Sequence, residues 1–432
     1  MTGRKLLMTF PVTDTSHTLA EYRARGGYAT LQKVLRQMRP EEVTKEVAAS
    51  GLLGHGGAAF PAGRKWGVIK LNDEQPHFLC ANADEGEPGT FKDRWILENA
   101  PHLLLESMLI TSYALQVRHA FVYIRGEFDL PYRRLAEAVE EAYQAGWFGE
   151  RIAGSGFGCD VVVYRGAGSY VCGEASALIT SIEGRKGYPR NRPPRLTVRG
   201  LYQRPTVINN VETLANITGI VAHGAEAFRK VGTAKSPGTQ LISISGHVQR
   251  PGVYEVEYGY PWAKFLREDC GGVLGGQALK CVIPGGISTK VLTAAEIETL
   301  TLDHASVAAA GSGLGSGGMV VIAEGTCMVR LLQVLLRFYH HESCGQCTPC
   351  REGMGWMHRI IDRIVDGEGR PEDIDQLIRI SNANDGTTIC GMGDAAGYAT
   401  VGILAKYRDE FEYWIEHGRS RHDGRLEVTA HD

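Results

Sequence analysis

The sequence has no long hydrophobic run and almost no net charge. None of its apolar stretches approaches the roughly 18 residues needed to span a bilayer, and the residues after Met1 lack the apolar core of a secretory signal. The 46 basic and 49 acidic residues give a net charge of −3, which disfavours nucleic acid or an anionic membrane as a direct partner. Together with 43% hydrophobic residues, these absences are typical of a globular chain of about two to four domains.

Glycine and cysteine, by contrast, are well represented. The 54 glycines among 432 residues are nearly twice the usual share of about 7%, and their clustering indicates backbone that approaches a ligand. Ten cysteines without an export signal favour a reducing compartment and metal ligation over disulfides. Six of them are scattered along the chain, and we expect these to lie in the core: Cys80, Cys159, Cys172, Cys270, Cys281 and Cys327.

The other four cysteines form the most specific motif. Cys344, Cys347 and Cys350 have the C-x2-C-x2-C spacing that places three thiolates at the corners of an iron–sulfur cube. Cys390, the only cysteine further along the chain, is the candidate fourth ligand, so the sequence predicts one [4Fe-4S] cluster. The alternatives are a structural zinc site with four thiolate ligands and buried cysteines without a metal.

A glycine-rich loop in the first quarter of the chain is a candidate phosphate site. Residues 51–66 contain Gly54, Gly56, Gly57, Phe60 and Lys65, so backbone amides and one ammonium group could surround phosphate oxygens while the aromatic ring stacks on a base. The loop follows a predicted helix rather than a strand, which is not the context of the usual dinucleotide fingerprint. A tight structural turn is therefore an equal alternative.

Strands and helices alternate after this loop. Predicted strands at 77–82, 120–124 and 160–164 are separated by predicted helices at 101–115 and 130–146, a pattern that favours a parallel sheet wound with helices. Polar and glycine-rich segments follow the strands, where ligands bind in such sheets; for the acidic segment the alternative is a solvated turn. They are residues 82–93, 165–178, the arginine-rich loop 187–195 and residues 206–214.

The remaining chain changes character twice. Residues 236–322 alternate like the strands of a small β-grasp unit, whereas residues 323–417 have the helical periodicity of a bundle that carries the four cysteines. The predicted division is therefore an N-terminal helical arm (1–50), an α/β domain (51–235), the β-grasp unit, the bundle and a polar tail (418–432).

These motifs together resemble the NADH-oxidising flavoprotein subunit of respiratory complex I, over about residues 20–415. The resemblance implies a Rossmann-like domain that holds FMN, then a β-grasp (SLBB-like) domain and a helical [4Fe-4S] bundle. It implies an NAD(P)H dehydrogenase that takes a hydride from NADH or NADPH onto FMN and passes single electrons to the cluster, for reduction of a quinone by the complex.

The resemblance also implies roles for individual residues. Phe60 would stack on the adenine of the nucleotide, and Glu87, the candidate catalytic residue, would lie beside the nicotinamide. Gly54, Gly56 and Lys65 would hold the FMN phosphate. The other implied FMN ligands are Gly57, Asn82, Asp84, Glu85, Tyr170, Gly173, Glu174, Asn209, Asn210 and Thr213. The implied cluster ligands are Cys344, Cys347, Cys350 and Cys390.

Partners and location are implied by the same resemblance. A thioredoxin-like helper subunit with a [2Fe-2S] cluster and a larger iron–sulfur subunit would dock alongside, in the cytoplasm on the inner face of the cell membrane. No nucleic acid would bind, and the chain would meet the membrane only through the complex. Alternative functions are a diaphorase subunit of a soluble hydrogenase or formate dehydrogenase, a non-catalytic cluster-bearing scaffold, and a zinc-stabilised binding module.

The sequence departs from the family pattern on the nucleotide side. His55 replaces an arginine, Ala59 replaces a glycine, and Ala175 replaces the second glutamate of the C-G-E-E motif. Val68 and Arg195 stand where aromatic residues are expected. Loss of the second glutamate removes a charge that would repel a 2′-phosphate, and arginine near the ribose accommodates one. The choice between NADH and NADPH is therefore open, together with the possibility of a decayed nucleotide site.

Overall fold

A four-stranded parallel sheet lies at the centre of the first half of the chain. The computed structural model describes residues 2–71 and 74–422, so most of the predicted tail, 423–432, lies outside the described residues. The strands are β1 (His77–Ala83), β2 (Val117–Ile124), β3 (Asp160–Arg165) and β4 (Thr206–Asn210). Their order is β3-β2-β1-β4, and every neighbouring pair is parallel. The chain therefore steps outward from β1 to β3 and then returns to the other side of β1.

Helices cover both faces of this sheet. Alternate residues of β1 face opposite layers: Leu79 and Ala81 belong to the larger core, whereas Phe78 and Cys80 pack in a second core, as the two-residue period of a strand dictates. The helices of this region are α1 (Leu19–Ala24), α2 (Ala29–Gln37), α3 (Pro40–Ser50), α4 (Ala62–Trp66), α5 (Lys92–Asn99), α6 (Pro101–Ala114), α7 (Asp129–Gln144), α8 (Ala175–Ile182), α9 (Val211–His223) and α10 (Ala225–Arg229).

The N-terminal helices are part of the larger core. Leu31, Val34 and Val43 are fully buried in it, and Glu106 of α6 accepts the backbone N–H groups of Tyr28 and Leu31. Helix α3 begins at Pro40, followed by two glutamates, which are favourable at the positive end of the helix dipole. It ends at Ser50, so the glycine-rich loop follows a helix, as predicted.

A second, mixed sheet has five strands in the order β6-β5-β11-β8-β9. Its central pair β5–β11 is parallel and the other pairs are antiparallel, while β7 and β10 form a separate antiparallel pair. The strands are β5 (Thr239–Gly246), β6 (Gly252–Glu257), β7 (Tyr260–Pro261), β8 (Leu279–Ile283), β9 (Leu292–Thr293), β10 (Thr301–Leu302) and β11 (Gly318–Ala323). The short helices are α11 (Trp262–Lys264), α12 (Ala294–Ile297) and α13 (His304–Ala309).

Four helices complete the described chain: α14 (Met328–Glu342), α15 (Thr348–Val365), α16 (Asp373–Asn384) and α17 (Met392–His417). They bury a common core that includes Leu336, Met357 and Phe411. Helix α17 begins at Met392, two residues after Cys390, so this cysteine lies directly before a helix. None of the helices in residues 2–71 and 74–422 is both long and apolar enough to cross a membrane. The predicted α/β fold class with a helical C-terminal bundle is confirmed.

Candidate functional site

The carboxyl ends of β1 and β4 define a crevice. These two strands are neighbours, and Asn82 of β1 stands opposite Asn210 of β4. The chain leaves β1 towards β2 on one side, whereas β4 returns on the other side, so the strand order reverses here. Ligands of open α/β sheets bind at such switch points. Asn82, Asn209 and Asn210, all predicted as ligands, therefore lie at the edge of the sheet where a ligand is expected.

The glycine-rich loop closes against β4. The backbone N–H of Gly54 donates to the Phe60 carbonyl at 3.0 Å, which closes the loop, and Trp66 donates its indole N–H to Asn209 Oδ1 at 3.1 Å. Lys65 Nζ donates to the Ile208 carbonyl at 2.7 Å. A side chain at Gly56 would meet Cβ of Asn210 at 3.3 Å, so glycine allows the close approach. Phe60 is 48% exposed, and the Arg64 guanidinium lies 5.9 Å from the centroid of its ring.

The ammonium group of Lys65 lies in a poorly hydrated environment. Burial lowers its pKa to about 8, with a smaller contribution from Arg192. An anion in the crevice would offset both effects, because opposite charge favours the protonated form. Lys65 therefore fits the role of a phosphate ligand.

A buried charge network lies beneath the glycine loop, and sequence reasoning did not find it. Lys92 Nζ contacts Asp93 at 2.8 Å and Glu212 at 2.7 Å, and all three side chains are almost completely buried. Burial works against the charge on Lys92, but Asp93 and Glu212 together raise its pKa. The only signal in the sequence was a lysine directly beside an aspartate at a helix start.

His55 packs on this network. Its backbone N–H donates to Thr213 Oγ1 at 2.9 Å, and its Nε2 lies 3.1 Å from the Thr239 carbonyl, which requires the proton on Nε2. Burial, followed by the charge of Lys92, lowers the pKa of His55 to about 3. A neutral imidazole therefore fills this position and joins the glycine loop to α9 and β5.

The acidic segment after β1 forms one wall of the crevice. Asn82 donates to the Gly173 carbonyl at 2.8 Å and accepts the Asp84 N–H at 3.0 Å. Asp84 Oδ2 is buried without a hydrogen-bond partner in the described chain, and burial raises the pKa of this carboxyl to about 7. Because buried polar atoms are normally hydrogen-bonded, Asp84 Oδ2 is a candidate hydrogen-bond partner for a ligand. Glu85 differs, because both its oxygens accept N–H groups at the start of α5, from Asp93 and Arg94.

Glu87 lies where the two sheets meet. Its carboxylate accepts the Tyr170 hydroxyl at 2.5 Å and the Ser288 N–H at 2.8 Å. Burial raises its pKa above the ordinary value. Gly286 allows this contact, since its φ is +92° and an added Cβ would overlap the Glu87 side chain. Sequence reasoning missed this contribution from the 284–289 loop, because the loop contains no group of ligand-type residues.

Glu174 serves two structural purposes at the far side of the crevice. It accepts the N–H groups of Ser176 and Ala177 at 2.8 and 3.0 Å and so caps α8, and it accepts Arg192 Nη2 at 2.7 Å. Gly173 precedes it, and a Cβ there would lie 3.3 Å from the Asp84 carbonyl. The arginine-rich loop is thereby tied to the start of α8.

The four predicted cluster ligands lie close together at the top of the bundle. Neighbouring Cys344 and Cys347 contribute to the raised pKa of Cys350, whose first cause is burial. Burial raises the pKa of Cys390 to about 11, and Cys344 and Cys350 add to the shift. Of the other six cysteines five are buried, as expected, while Cys327 is only partly buried.

The four cysteines could in principle hold either a zinc ion or an iron–sulfur cluster. Among the described residues, no three His, Cys, Asp or Glu side chains are grouped closely enough to hold a metal ion, and this result does not distinguish zinc from a cluster. Four cysteines are the ligand set of a [4Fe-4S] cube, in which one thiolate binds each iron corner. Cys344 and Cys390 also pack against the core that contains α8, so this centre adjoins the crevice.

Comparison with known proteins agrees with this arrangement. Residues 47–219 match the Nuo51 FMN-binding domain, and residues 330–414 match the NADH-ubiquinone oxidoreductase-F iron–sulfur binding region. An NADH-quinone oxidoreductase F-type subunit of Rhizobium meliloti is 46% identical over 96% of this chain and 98% of its own length. The mitochondrial NADH dehydrogenase [ubiquinone] flavoprotein 1 of Dictyostelium discoideum is 44% identical over 90% of this chain and 82% of its own length.

Solved structures give the same picture. A crystal structure of an NAD+-reducing [NiFe]-hydrogenase in the H2-reduced state matches with a TM-score of 0.83 and 33% identity, over 94% of this chain and 69% of that one. The fold and the crevice beside a four-cysteine centre define a flavin- and iron–sulfur-containing oxidoreductase subunit. This chain belongs to the family of NADH-quinone oxidoreductase F-type subunits, NADH-oxidising flavoproteins that hold FMN and one [4Fe-4S] cluster.

Proposed function

We propose that the crevice between β1 and β4 binds FMN and that the chain transfers electrons from a reduced nicotinamide nucleotide to a quinone-reducing respiratory complex. The observation that carries this assignment is Asp84 Oδ2, a buried oxygen without a partner in the described chain, at the strand-order switch point. When bound, FMN supplies the hydride acceptor and the cluster supplies a one-electron carrier. The residues of the chain provide binding and orientation.

Each group of predicted ligands has a place in this proposal. Gly54, Gly56 and Gly57 would leave room for the phosphate, and Lys65 would neutralise it. Asn82, Asp84, Asn209 and Asn210 would meet the polar edge of the flavin, with Tyr170, Gly173, Glu174 and Thr213 lining or supporting the walls. Glu85 would act through its backbone, because both of its carboxylate oxygens accept hydrogen bonds from α5.

The nucleotide would enter from the exposed side of the glycine loop. Phe60 would stack on the adenine, and Glu87, the proposed catalytic residue, would lie beside the nicotinamide. Tyr170 and Ser288 hold the Glu87 carboxylate in place and so would fix the position of the ring that it meets. No side chain would have to move a proton here, because the nucleotide would supply the hydride and FMN would supply its acceptor.

The cluster would be bound by Cys344, Cys347, Cys350 and Cys390, and the thioredoxin-like subunit and the larger iron–sulfur subunit would receive its electrons. The membrane would be met only through that complex, on its inner face. We also propose the domain limits 51–235, 236–322 and 323–417. Each of the three regions has a main core of its own, which supports this division. The regions also pack on one another, because Leu241 lies in the core of the parallel sheet and Ile283 and Ile322 lie in the core of the bundle.

A second candidate is the diaphorase subunit of a soluble hydrogenase, favoured by the 33% identical hydrogenase chain. The match covers 94% of this chain and 69% of the hydrogenase chain. A third is a scaffold that keeps the cluster but does not turn over nucleotide.

The test is anaerobic purification followed by spectra with each reduced nucleotide. We expect FMN and iron in the purified chain and bleaching of the flavin band by NADH or NADPH. A bound flavin that neither nucleotide reduces would support the scaffold instead. Co-purification with a quinone-reducing complex rather than with a hydrogenase would separate the first two candidates.

A further inference from the structure

Helix α14 contacts the crevice loop at Tyr170 in two ways. Glu342 Oε2 accepts the backbone N–H of Tyr170 at 3.1 Å, and the ring of Phe338 packs edge-on against the Tyr170 ring with centroids 5.2 Å apart. Phe338 and Glu342 are four residues apart and so share one face of the helix. The last turn of α14 therefore holds both the backbone and the side chain of Tyr170.

Tyr170 in turn is fixed to the acidic wall of the crevice. Its hydroxyl donates to Glu87, and a Cβ on Gly86 would lie 3.3 Å from its ring. The adjacent residue of α14, Tyr339, is fully buried, and its hydroxyl has no partner in the described chain. A shift of α14 would therefore move or release Tyr170 and, through it, Glu87.

The other end of this connection is the cysteine loop. Glu342 is the last residue of α14, Ser343 Oγ lies 3.3 Å from Cys350 Sγ, and Cys344 follows directly. Four bonds to a cluster would fix this loop, as metal ligation orders the residues that bind the metal. The position of Glu342 then depends on whether the cysteines are ligated.

We propose that Glu342 and Phe338 are positioning residues that couple cluster occupancy to flavin binding. Ligation of the cysteines orders the end of α14, which holds Tyr170 in the conformation that lines the flavin crevice. FMN binding in turn favours the ligated loop, because coupling between two sites is reciprocal. This inference rests on the proposed placement of FMN and of the cluster.

The test is a thermodynamic cycle on the full-length chain. FMN affinity is measured by quenching of flavin fluorescence, with the cluster present and after its anaerobic removal by an iron chelator. We expect the cluster to tighten FMN binding by about fivefold or more, within the usual range of coupling between sites. In Glu342→Ala the two affinities should become equal within about twofold.

The matched control is Glu352→Ala. Glu352 is also two residues from a cluster cysteine, but its side chain is 46% exposed and pairs with Arg351, so the ratio of affinities should remain as in the wild type. Glu342→Gln keeps an oxygen that accepts the Tyr170 N–H and should retain most of the ratio. If Glu342→Ala does not fold, the same ratio of FMN affinities is measured in Phe338→Leu, which removes the aromatic contact with Tyr170 and should lower the ratio.

The outcomes separate the two levels of inference. A purely structural role for Glu342 would weaken FMN binding equally in both states and leave the ratio unchanged, which would overturn the coupling. FMN that binds with the same affinity in the loaded and cluster-free wild-type chain would also overturn it. Absence of FMN binding in every form would instead contradict the proposed function.

Discussion

The Arg192 guanidinium donates to the Glu174 carboxylate at 2.7 Å, the same carboxylate that caps α8. The positive charge of this arginine is therefore already neutralised. Arg195, three residues further along the loop, is exposed and has no ion-pair partner among the described residues. If a nucleotide 2′-phosphate binds in this region, Arg195 is the one of the two arginines whose charge is not already paired with a carboxylate.

The first prediction concerns nucleotide choice. Ala175→Glu should raise the ratio of NADH to NADPH turnover, because the added carboxylate can accept the ribose hydroxyls and repels a 2′-phosphate. Arg195→Ala should lower NADPH use by roughly ten- to hundredfold, the value of a charge-assisted contact of about 1.5–3 kcal/mol. Rates of flavin reduction by the two nucleotides, measured in stopped flow, give the ratio.

Arg199→Ala is the matched control for the nucleotide experiment, since Arg199 is an exposed arginine four residues after Arg195. It should leave the ratio near the wild-type value. A ratio that stays constant in Ala175→Glu and Arg195→Ala would remove both positions from nucleotide selection.

The second prediction is a pH dependence of FMN binding. Lys65 has a folded-state pKa of about 8, below its ordinary value, so the ammonium is charged below pH 8 and loses its proton above it. FMN affinity of the flavin-free chain should therefore fall as pH rises above about 8, by up to about tenfold per pH unit for a single proton. Isothermal titration at several pH values measures this slope.

Two substitutions test the assignment of that slope. Lys65→Arg keeps a charge that does not titrate in this range, so FMN affinity should lose its decline above pH 8. Lys65→Met should bind FMN weakly at every pH. A decline that persists unchanged in both variants would assign the proton to another group.

The third prediction concerns the cluster. Cys390→Ser should lower the iron content or convert the [4Fe-4S] centre, while FMN still binds when supplied at saturating concentration. Iron analysis and electron paramagnetic resonance of the reduced protein report on the centre. Cys327→Ser serves as the control, because Cys327 is the N-cap residue that precedes α14 and serine is well suited to that position. FMN loss with a normal cluster signal would contradict the assignment of Cys390.

The fourth prediction concerns stability. Lys92→Met should cost about 3–5 kcal/mol of unfolding free energy, because it leaves Asp93 and Glu212 buried without their counter-charge. Denaturant unfolding of the flavin-free chain measures the loss. Lys33→Met, on the exposed side of α2, should change it by less than about 0.5 kcal/mol. Equal stability of the two variants would show that the network is not ionised.

Individual strands and helices of this chain could be predicted from local sequence patterns. The strand at His77–Ala83 and the helix at Pro101–Ala114 could be predicted because their signals lie within the segment itself. These signals are an apolar run, a proline at a first turn and flanking polar residues. The strand order could not be predicted, since pairing of β1 with β4 joins segments more than a hundred residues apart. The start of helix α17 at Met392 could not be predicted either, because the glycine and alanine residues after Cys390 carry no periodic signal.

The site was predictable where chemistry follows a motif and unpredictable where it depends on distant contacts. The cysteine spacing named the cluster ligands, but no local signal showed that Glu85 would cap α5 or that Arg192 would pair with Glu174. From the sequence, His55 could be recognised only as a departure from the family motif. Its environment, a buried neutral ring between Thr213 and Thr239, follows from packing against another sheet.

The contact between Glu87 and Ser288 sets an order of events during protein synthesis. The two residues are 201 positions apart, so at about 5–20 residues per second roughly 10–40 s pass between their emergence from the peptidyl transferase centre. Until the 284–289 loop has been synthesised, the nascent chain lacks the residues that contact Glu87 from the second sheet. Flavin bound before that moment would be held by an incomplete crevice, so maturation of the holoprotein follows synthesis of the 284–289 loop.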